Sequence, residues 1–148
     1  MRWNRSRIWL WLTAALLVGC GPFLVFPGGE LQGNEAAVPG DWEFAAEIGT
    51  VEMETRPEDP YSINIWATGM GRHLYIHAGA NRANWVEHIE ADPRVRIGIQ
   101  RKLYPLRAER VTDAGEFARF ADAYEVKYGR RPRNEVVEEV YLYRLEAR

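Results

Sequence analysis

Alternation at every second residue is the feature that most constrains this chain. In "YSINIWAT", residues 61–68, Tyr61, Ile63, Ile65 and Ala67 fall on one face and Ser62, Asn64, Trp66 and Thr68 on the other. "HLYIHA", residues 73–78, sets Leu74, Ile76 and Ala78 against His73, Tyr75 and His77. "RVRIGIQ", residues 94–100, sets Val95, Ile97 and Ile99 against Arg94, Arg96 and Gly98. Residues 104–111 and 140–146 are strand-like as well, and residues 50–55 make a plausible opening strand. Gly69-Met70-Gly71 is short and permissive enough to turn a hairpin. Six short strands joined by mostly antiparallel connections predict a barrel-like sheet in an α+β domain.

Two helices interrupt the strands. Asp113 with Glu116 three residues later is a capping-box start, and Phe117, Phe120, Ala121, Tyr124 and Tyr128 keep helical spacing until Gly129 ends the run. That aromatic stripe reads as core rather than as a cofactor box. The second helix starts at Asn81 or Asn84, the latter forming a capping box with Glu87. It turns Trp85, Val86 and Ile89 inward and stops at Asp92-Pro93.

The front of the chain reads as something other than fold. Arg2, Arg5 and Arg7 precede an apolar run over residues 8–18, followed by Gly19 and Cys20. A basic end, a short apolar stretch and a small residue before the cut form an export signal. The stretch is far shorter than the roughly 20 residues that span a bilayer. "LVGC", residues 17–20, resembles the lipobox of bacterial lipoproteins, in which the Cys carries lipid. Cys20 is the single cysteine in the chain, which excludes an internal disulfide. Residues 1–19 are thus expected to be a signal peptide. Residues 20–40, rich in Gly and Pro, are expected to be a lipidated N-terminus and flexible tether. Residues 41–148 are expected to form one domain, in a protein of the bacterial cell envelope that faces away from the cytoplasm.

Charge and spacing exclude several functions. Without Arg2, Arg5 and Arg7, the 19 Lys and Arg fall by three, against 21 Asp and Glu. The mature surface is mildly acidic with no basic stripe, which argues against nucleic acid. His73 and His77 would suit a metal on a helix. On a strand they lie roughly 13 Å apart at about 3.3 Å per residue, too far to share an ion. Glu52 and Glu54 share a strand face and read as a solvated edge. Arg56, ahead of Pro57, is a solvated loop residue or a phosphate clamp.

At the start of the Asn81/Asn84 helix, backbone N–H groups, the helix dipole, Asn81 and Arg82 converge where an anion binds. The plainer reading has both asparagines capping the helix and Arg82 in solvent.

The order "VEMETRPEDPYSINIWAT … HLYIHAG … NWVEHIEADPRVRI … YPLRAERVTD" resembles the FMN-binding split-barrel superfamily, which includes pyridoxamine phosphate oxidase-like proteins and deazaflavin-dependent nitroreductases. Trp85, His88 and Asp92-Pro93 match the family's pattern in order, with His88 where deazaflavin enzymes commonly have Asn. The resemblance implies a six-stranded antiparallel split barrel with two helices, a homodimer, and FMN or a deazaflavin in a cleft at the dimer interface. It places Ser62, Asn64 and Trp66 along the ring or phosphate side of that cleft. It places His77, Asn81, Arg82, Asn84 and Trp85 at the phosphate end, with Arg101 and Lys102 near the following strand turn. Against this, Ser62 and Asn64 also read as the wet face of a strand, Trp66 as core or dimer packing, and Arg101 and Lys102 as hairpin decoration.

Two functions follow. One is a lipid-anchored flavin- or deazaflavin-dependent reductase of nitroreductase or quinone-reductase type, in which the cofactor carries the chemistry. The other is a cofactor-free split-barrel lipoprotein that binds a small molecule or a protein partner. The signal lacks a twin Arg, so the chain is expected to cross the membrane unfolded and empty, which keeps the second reading open.

Overall fold

The computed structural model describes residues 28–80 and 82–148. The expected signal peptide, Cys20 and Asn81 lie outside these residues. The strands run β1 Asn34–Glu35, β2 Val51–Thr55, β3 Tyr61–Ile65, β4 Ala67–Met70, β5 His73–Ala78, β6 Arg94–Ile99, β7 Lys102–Arg110 and β8 Tyr141–Ala147. Helix α1 is Asn84–Ala91 and α2 is Ala114–Tyr128, and a 3-10 turn covers Glu43–Glu47. The strands form one curled antiparallel sheet in the order β3-β2-β6-β7-β8-β5-β4, and β1 adds to β7 in parallel. The expected α+β half-barrel with two helices is present, but with eight strands instead of six.

The extra strands have physical causes. The alternating run 61–68 is two strands that break at Trp66, and they lie at opposite ends of the sheet order. A one-residue link keeps the Cα atoms of Ile65 and Ala67 within roughly 7.6 Å. The sheet must therefore curl until its two edges meet at that corner. The other addition is β1, inside the stretch expected to be a flexible tether. From Gly28 onward that stretch lies along the domain. Gly28 and Ser62 exchange two backbone hydrogen bonds of 2.8 Å, Leu31 is buried, and the N–H of Asn34 donates to the carbonyl of Arg101.

The hairpin between β4 and β5 turns at Gly71–Arg72, with Gly71 in the left-handed region, two residues later than the expected Gly69 start. Gly69 serves packing instead. A Cβ there would come within 2.2 Å of the Trp42 carbonyl oxygen, and Trp42 is fully buried. Gln100 and Arg101 both take positive φ, of 50° and 65°, the geometry of a tight two-residue hairpin.

Two apolar layers result. Inside the curl lie Val51, Met53, Leu74, Ile76, Ile97 and Leu106, closed by Trp85, Val86 and Ile89 of α1. On the outer face, Tyr75, Leu142 and Val140 meet Phe117, Phe120, Ala121 and Tyr124 of α2. The Asp113 cap is as expected: its side chain accepts from the Glu116 N–H at 2.7 Å. The reciprocal half of the capping box is missing, because the Glu116 carboxylate takes Arg144 at 2.8 and 2.9 Å and the Tyr75 hydroxyl at 2.9 Å. Gly129 ends α2 in the left-handed conformation.

Glu54 is buried rather than on a solvated edge. It takes two hydrogen bonds from Arg96, at 2.7 and 2.8 Å, and one from the Leu31 N–H at 2.7 Å. The carboxylate beside it raises the pKa of the Arg96 guanidinium.

The corner at Trp66 is held by the end of α2. The Tyr128 hydroxyl accepts from the Ala67 N–H at 3.1 Å and lies 2.8 Å from the Ala67 carbonyl, to which it donates. Lys127 Nζ donates to the carbonyls of Ala45 and Ala67 at 2.7 and 2.6 Å. Burial raises the Tyr128 pKa to about 12 and lowers that of Lys127. Tyr128→Phe leaves the Ala67 N–H without its partner. It is expected to lower unfolding free energy by about 1–3 kcal/mol in urea titration; an unchanged midpoint would remove the corner clamp as a source of stability.

Candidate functional site

Two cavities meet between the outer face of the β4–β5 hairpin and α2. The inner one, about 220 Å³, lies behind Trp66 and is walled by Thr68, Tyr75, His77, Phe120 and Tyr124, with Asn64 and Ile65 at its side. The outer one, about 380 Å³, shares His77 and Tyr124 and continues along Gly79-Ala80 to Arg130, Arg131, Arg133 and Asn134. Register explains the grouping. Thr68 stands opposite Tyr75, and Ala67 opposite Ile76, so Trp66, Thr68, Tyr75 and His77 share the face that α2 covers.

Several of these groups are already committed. Trp66, 40% exposed, stacks on Tyr128 with centroids 4.4 Å apart and planes 8° apart. The Arg130 guanidinium lies 5.0 Å from its ring. Tyr75 is bonded to Glu116, and burial followed by that bond raises its pKa. Arg131 is tied to Asp122, Glu125 and Glu135 at 2.7 to 3.1 Å. Arg133 is exposed and makes no ion pair among the described residues. Of the buried side-chain atoms that lack a partner among the described residues, Thr68 Oγ1 and His77 Nε2 belong to residues of these walls. Burial lowers the His77 pKa, so the ring is neutral at pH 7.

Of the residues expected at a site, Asn64, Trp66 and His77 come together here. Ser62 does not: it is buried under Gly28 at the outer edge of β3. Trp85 is a core residue, edge-on to Tyr143 at 5.9 Å. Arg101 forms the β6–β7 turn, and Lys102 lines a different groove with Phe44 and Tyr104. Asn84 is the first helical residue, not the cap; Ala83 holds the cap position without a side-chain bond. Arg82 turns back along α1 to Glu87, at 3.7 Å, and to Glu90. Its charge is compensated there; Asn81, its companion in the expected convergence on an anion, lies outside the described residues. Arg56 pairs with Asp59 at 2.9 Å. Thr68, Tyr124, Arg130, Arg133 and Asn134 are the lining residues that sequence reasoning missed. The signal for the last three was "RRPRN", directly behind Gly129.

The whole arrangement suits a ligand with a flat aromatic part and an anionic end. The combined space is within the roughly 300–1,000 Å³ typical of ligand pockets. Aromatic walls occupy one end, and a guanidinium the other.

No protein-family profile matches the chain, and no curated protein matches its sequence. Solved structures do match in fold. A candidate 5-nitroimidazole antibiotic resistance protein of Bacteroides thetaiotaomicron superposes with TM-score 0.54 at 13% identity, over 68% of this chain and 73% of that one. A FAD-binding protein of Mesorhizobium loti gives 0.51 at 17%, over 70% and 83%. A candidate pyridoxamine 5'-phosphate oxidase of Listeria innocua gives 0.53 at 12%, over 69% and 87%. The fold is that of split-barrel proteins.

The half-buried, neutral His77 has a consequence in solution. Its folded-state pKa lies below 6.5, so on acidification the unfolded chain takes up the proton first. Stability from this group is complete above about pH 6.5 and is lost as pH falls towards the folded value. His88, also lowered by burial, acts in the same direction. Wild type is expected to be less stable to urea at about pH 5.5 than at about pH 7.5. His77→Phe should shrink that difference; equal differences in both proteins would contradict it.

Proposed function

We propose that this is a lipid-anchored protein of the bacterial cell envelope whose split barrel binds a flavin-type cofactor, FMN or a deazaflavin, in a nitroreductase- or quinone-reductase-like oxidoreductase. The observation that carries the reading is the pair of joined cavities at His77 and Tyr124, with Arg130 and Arg133 at the open end. The fold likeness to a FAD-binding protein and to a candidate nitroimidazole resistance protein supports it.

The residues fit such a group. Arg133 offers a planar fork of donors for a phosphate, and Arg130 stands beside it on the Trp66 ring. Tyr124 and His77 supply a flat wall. A bound flavin supplies hydride transfer, so the protein's part is binding, orientation and exclusion of water. His77, whose pKa burial lowers, presents an uncharged ring in that wall. Membrane attachment rests on "LVGC" and Cys20, and self-association on the exposed ring of Trp66 beside the site.

Fluorescence titration of FMN, and separately of a deazaflavin coenzyme, tests the assignment. Arg133→Ala should weaken binding by about tenfold to a hundredfold, the loss of one charge-assisted hydrogen bond to phosphate. Arg82→Ala, whose charge is paired on α1, should leave it unchanged. No binding of either cofactor would favour the cofactor-free lipoprotein.

Anchoring has its own test. Cys20→Ser should release the protein from membranes or block its processing; a membrane-bound variant of the same processed mass would refute lipidation. Sedimentation of the detergent-solubilised protein should show a dimer at micromolar concentration, and a monomer would refute self-association.

A further inference from the structure

We propose that the end of the molecule around Trp66 docks on the surface of the bilayer that holds the lipid anchor; the inference rests on the reading of Cys20 given above. It starts from three exposed apolar side chains. Phe44, Trp66 and Val126 are 42%, 40% and 88% exposed. Lys127 draws their segments together, because its Nζ donates to the carbonyls of Ala45 and Ala67 at 2.7 and 2.6 Å. Phe44 precedes Ala45, Trp66 precedes Ala67, and Val126 precedes Lys127. Tyr128 stacks on the Trp66 ring, and the Arg130 guanidinium lies 5.0 Å from it. Aromatic rings with a polar end, beside long cationic side chains, concentrate where a bilayer meets water.

The connection to the anchor ends at the same edge of the molecule. The stretch expected to be a tether is pinned from Gly28 onward: Gly28 and Ser62 exchange two hydrogen bonds of 2.8 Å, and the Leu31 N–H donates to Glu54 at 2.7 Å. Eight steps separate Cys20 from Gly28, a reach of at most roughly 29 Å at about 3.6 Å per residue. A tether free to residue 40 would reach roughly 70 Å. Trp66 stands four residues beyond Ser62, roughly 13 Å along the chain at about 3.3 Å per residue. The anchor therefore joins the domain close to the aromatic corner and keeps that corner near the lipid. So short a connection makes docking an intramolecular event, at an effective concentration in the mM range, and a small patch is enough. Charge is not the driving force. Glu43 and Glu47, exposed on either side of Phe44, offset Lys127 and Arg130. The occupant is the interfacial zone of a bilayer, entered by apolar rings.

Among the described residues Trp66 is the exposed tryptophan, Trp42 and Trp85 being buried, so fluorescence reads it directly. The test uses the processed, full-length protein in phosphatidylcholine vesicles whose acyl chains are plain or brominated. Brominated lipid should quench the wild type, and plain lipid should shield it from aqueous iodide. Trp66→Phe should abolish the lipid-dependent quenching. Phe44→Ser keeps the reporter and should lower the quenching, with circular dichroism confirming the fold. A lipid-bearing protein whose Trp66 stays open to iodide and is not quenched by bromine overturns this inference alone, as does quenching that is unchanged in Phe44→Ser. A ring hidden from both quenchers also overturns it and seats a second copy there, since docking and self-association through Trp66 exclude one another. A chain whose mass shows no lipid overturns the anchor and this docking together, which sets that failure apart from the others.

Discussion

The corner at Trp66 is the constraint on which the rest of the molecule depends. Strands β3 and β4 are neighbours in sequence and opposite ends of the sheet, so one residue has to bridge the two edges. An edge strand carries unpaired backbone groups; Ala67 stands opposite Ile76 on one side, and on the other the sharp bend leaves no strand to pair with. Helix α2 resolves this with its last turn, where Tyr128 and Lys127 satisfy the N–H and carbonyl of Ala67. The same docking lays Phe120 and Tyr124 over Thr68 and His77. Both cavities therefore exist because the helix that closes the corner is also their roof.

Charge is distributed in keeping with that design. Glu54 and Arg96 tie the N-terminal strap to the sheet through the Leu31 N–H. Glu116, Arg144 and Tyr75 tie α2 to β5 and β8. Arg131 ties the segment after α2 back to the helix. Each of these cations is used structurally; for Arg96, whose partner Glu54 is buried, removing one partner is far more damaging than never having had the pair. Arg133 stands outside these networks, at the mouth of the larger cavity.

Much of this was legible in the sequence where local physics decides. Alternation located β2, β5, β6, β7 and β8, and Asp113 and Gly129 marked the ends of α2. It failed at Trp66 because both halves of the run keep the same phase through the bend; nothing local separates one strand from two. The strap was unreadable because Gly and Pro mark irregular chain, whether it is free or pinned by distant partners such as Ser62 and Glu54. At the site, Asn64, Trp66 and His77 emerged from their shared phase. Thr68 and Tyr124 were assigned to sheet and core because their role depends on how α2 docks. Arg82 misled because a helix start offers donors in principle, whereas Glu87 and Glu90 capture it one and two turns along; Asn84 misled because the helix starts one residue earlier than a cap there requires, with Ala83 in the cap position.

The order of the strands also sets the pace at which this molecule can assemble. Hairpins β2–β3, β4–β5 and β6–β7 join neighbours in the chain and can form within about 1–10 μs. The other three joints along the sheet are more remote: Glu52 must find Gly98, Arg110 must find Tyr143, and Leu74 must find Leu145. Each closes a long loop before any contact rewards it, which places such topologies towards the millisecond-to-second end of folding. During that interval the β4 edge is exposed, since Tyr128 cannot reach Ala67 until α2 has docked on a completed outer face. Each newly made chain passes through that state, with an apolar edge open to pairing with its neighbours.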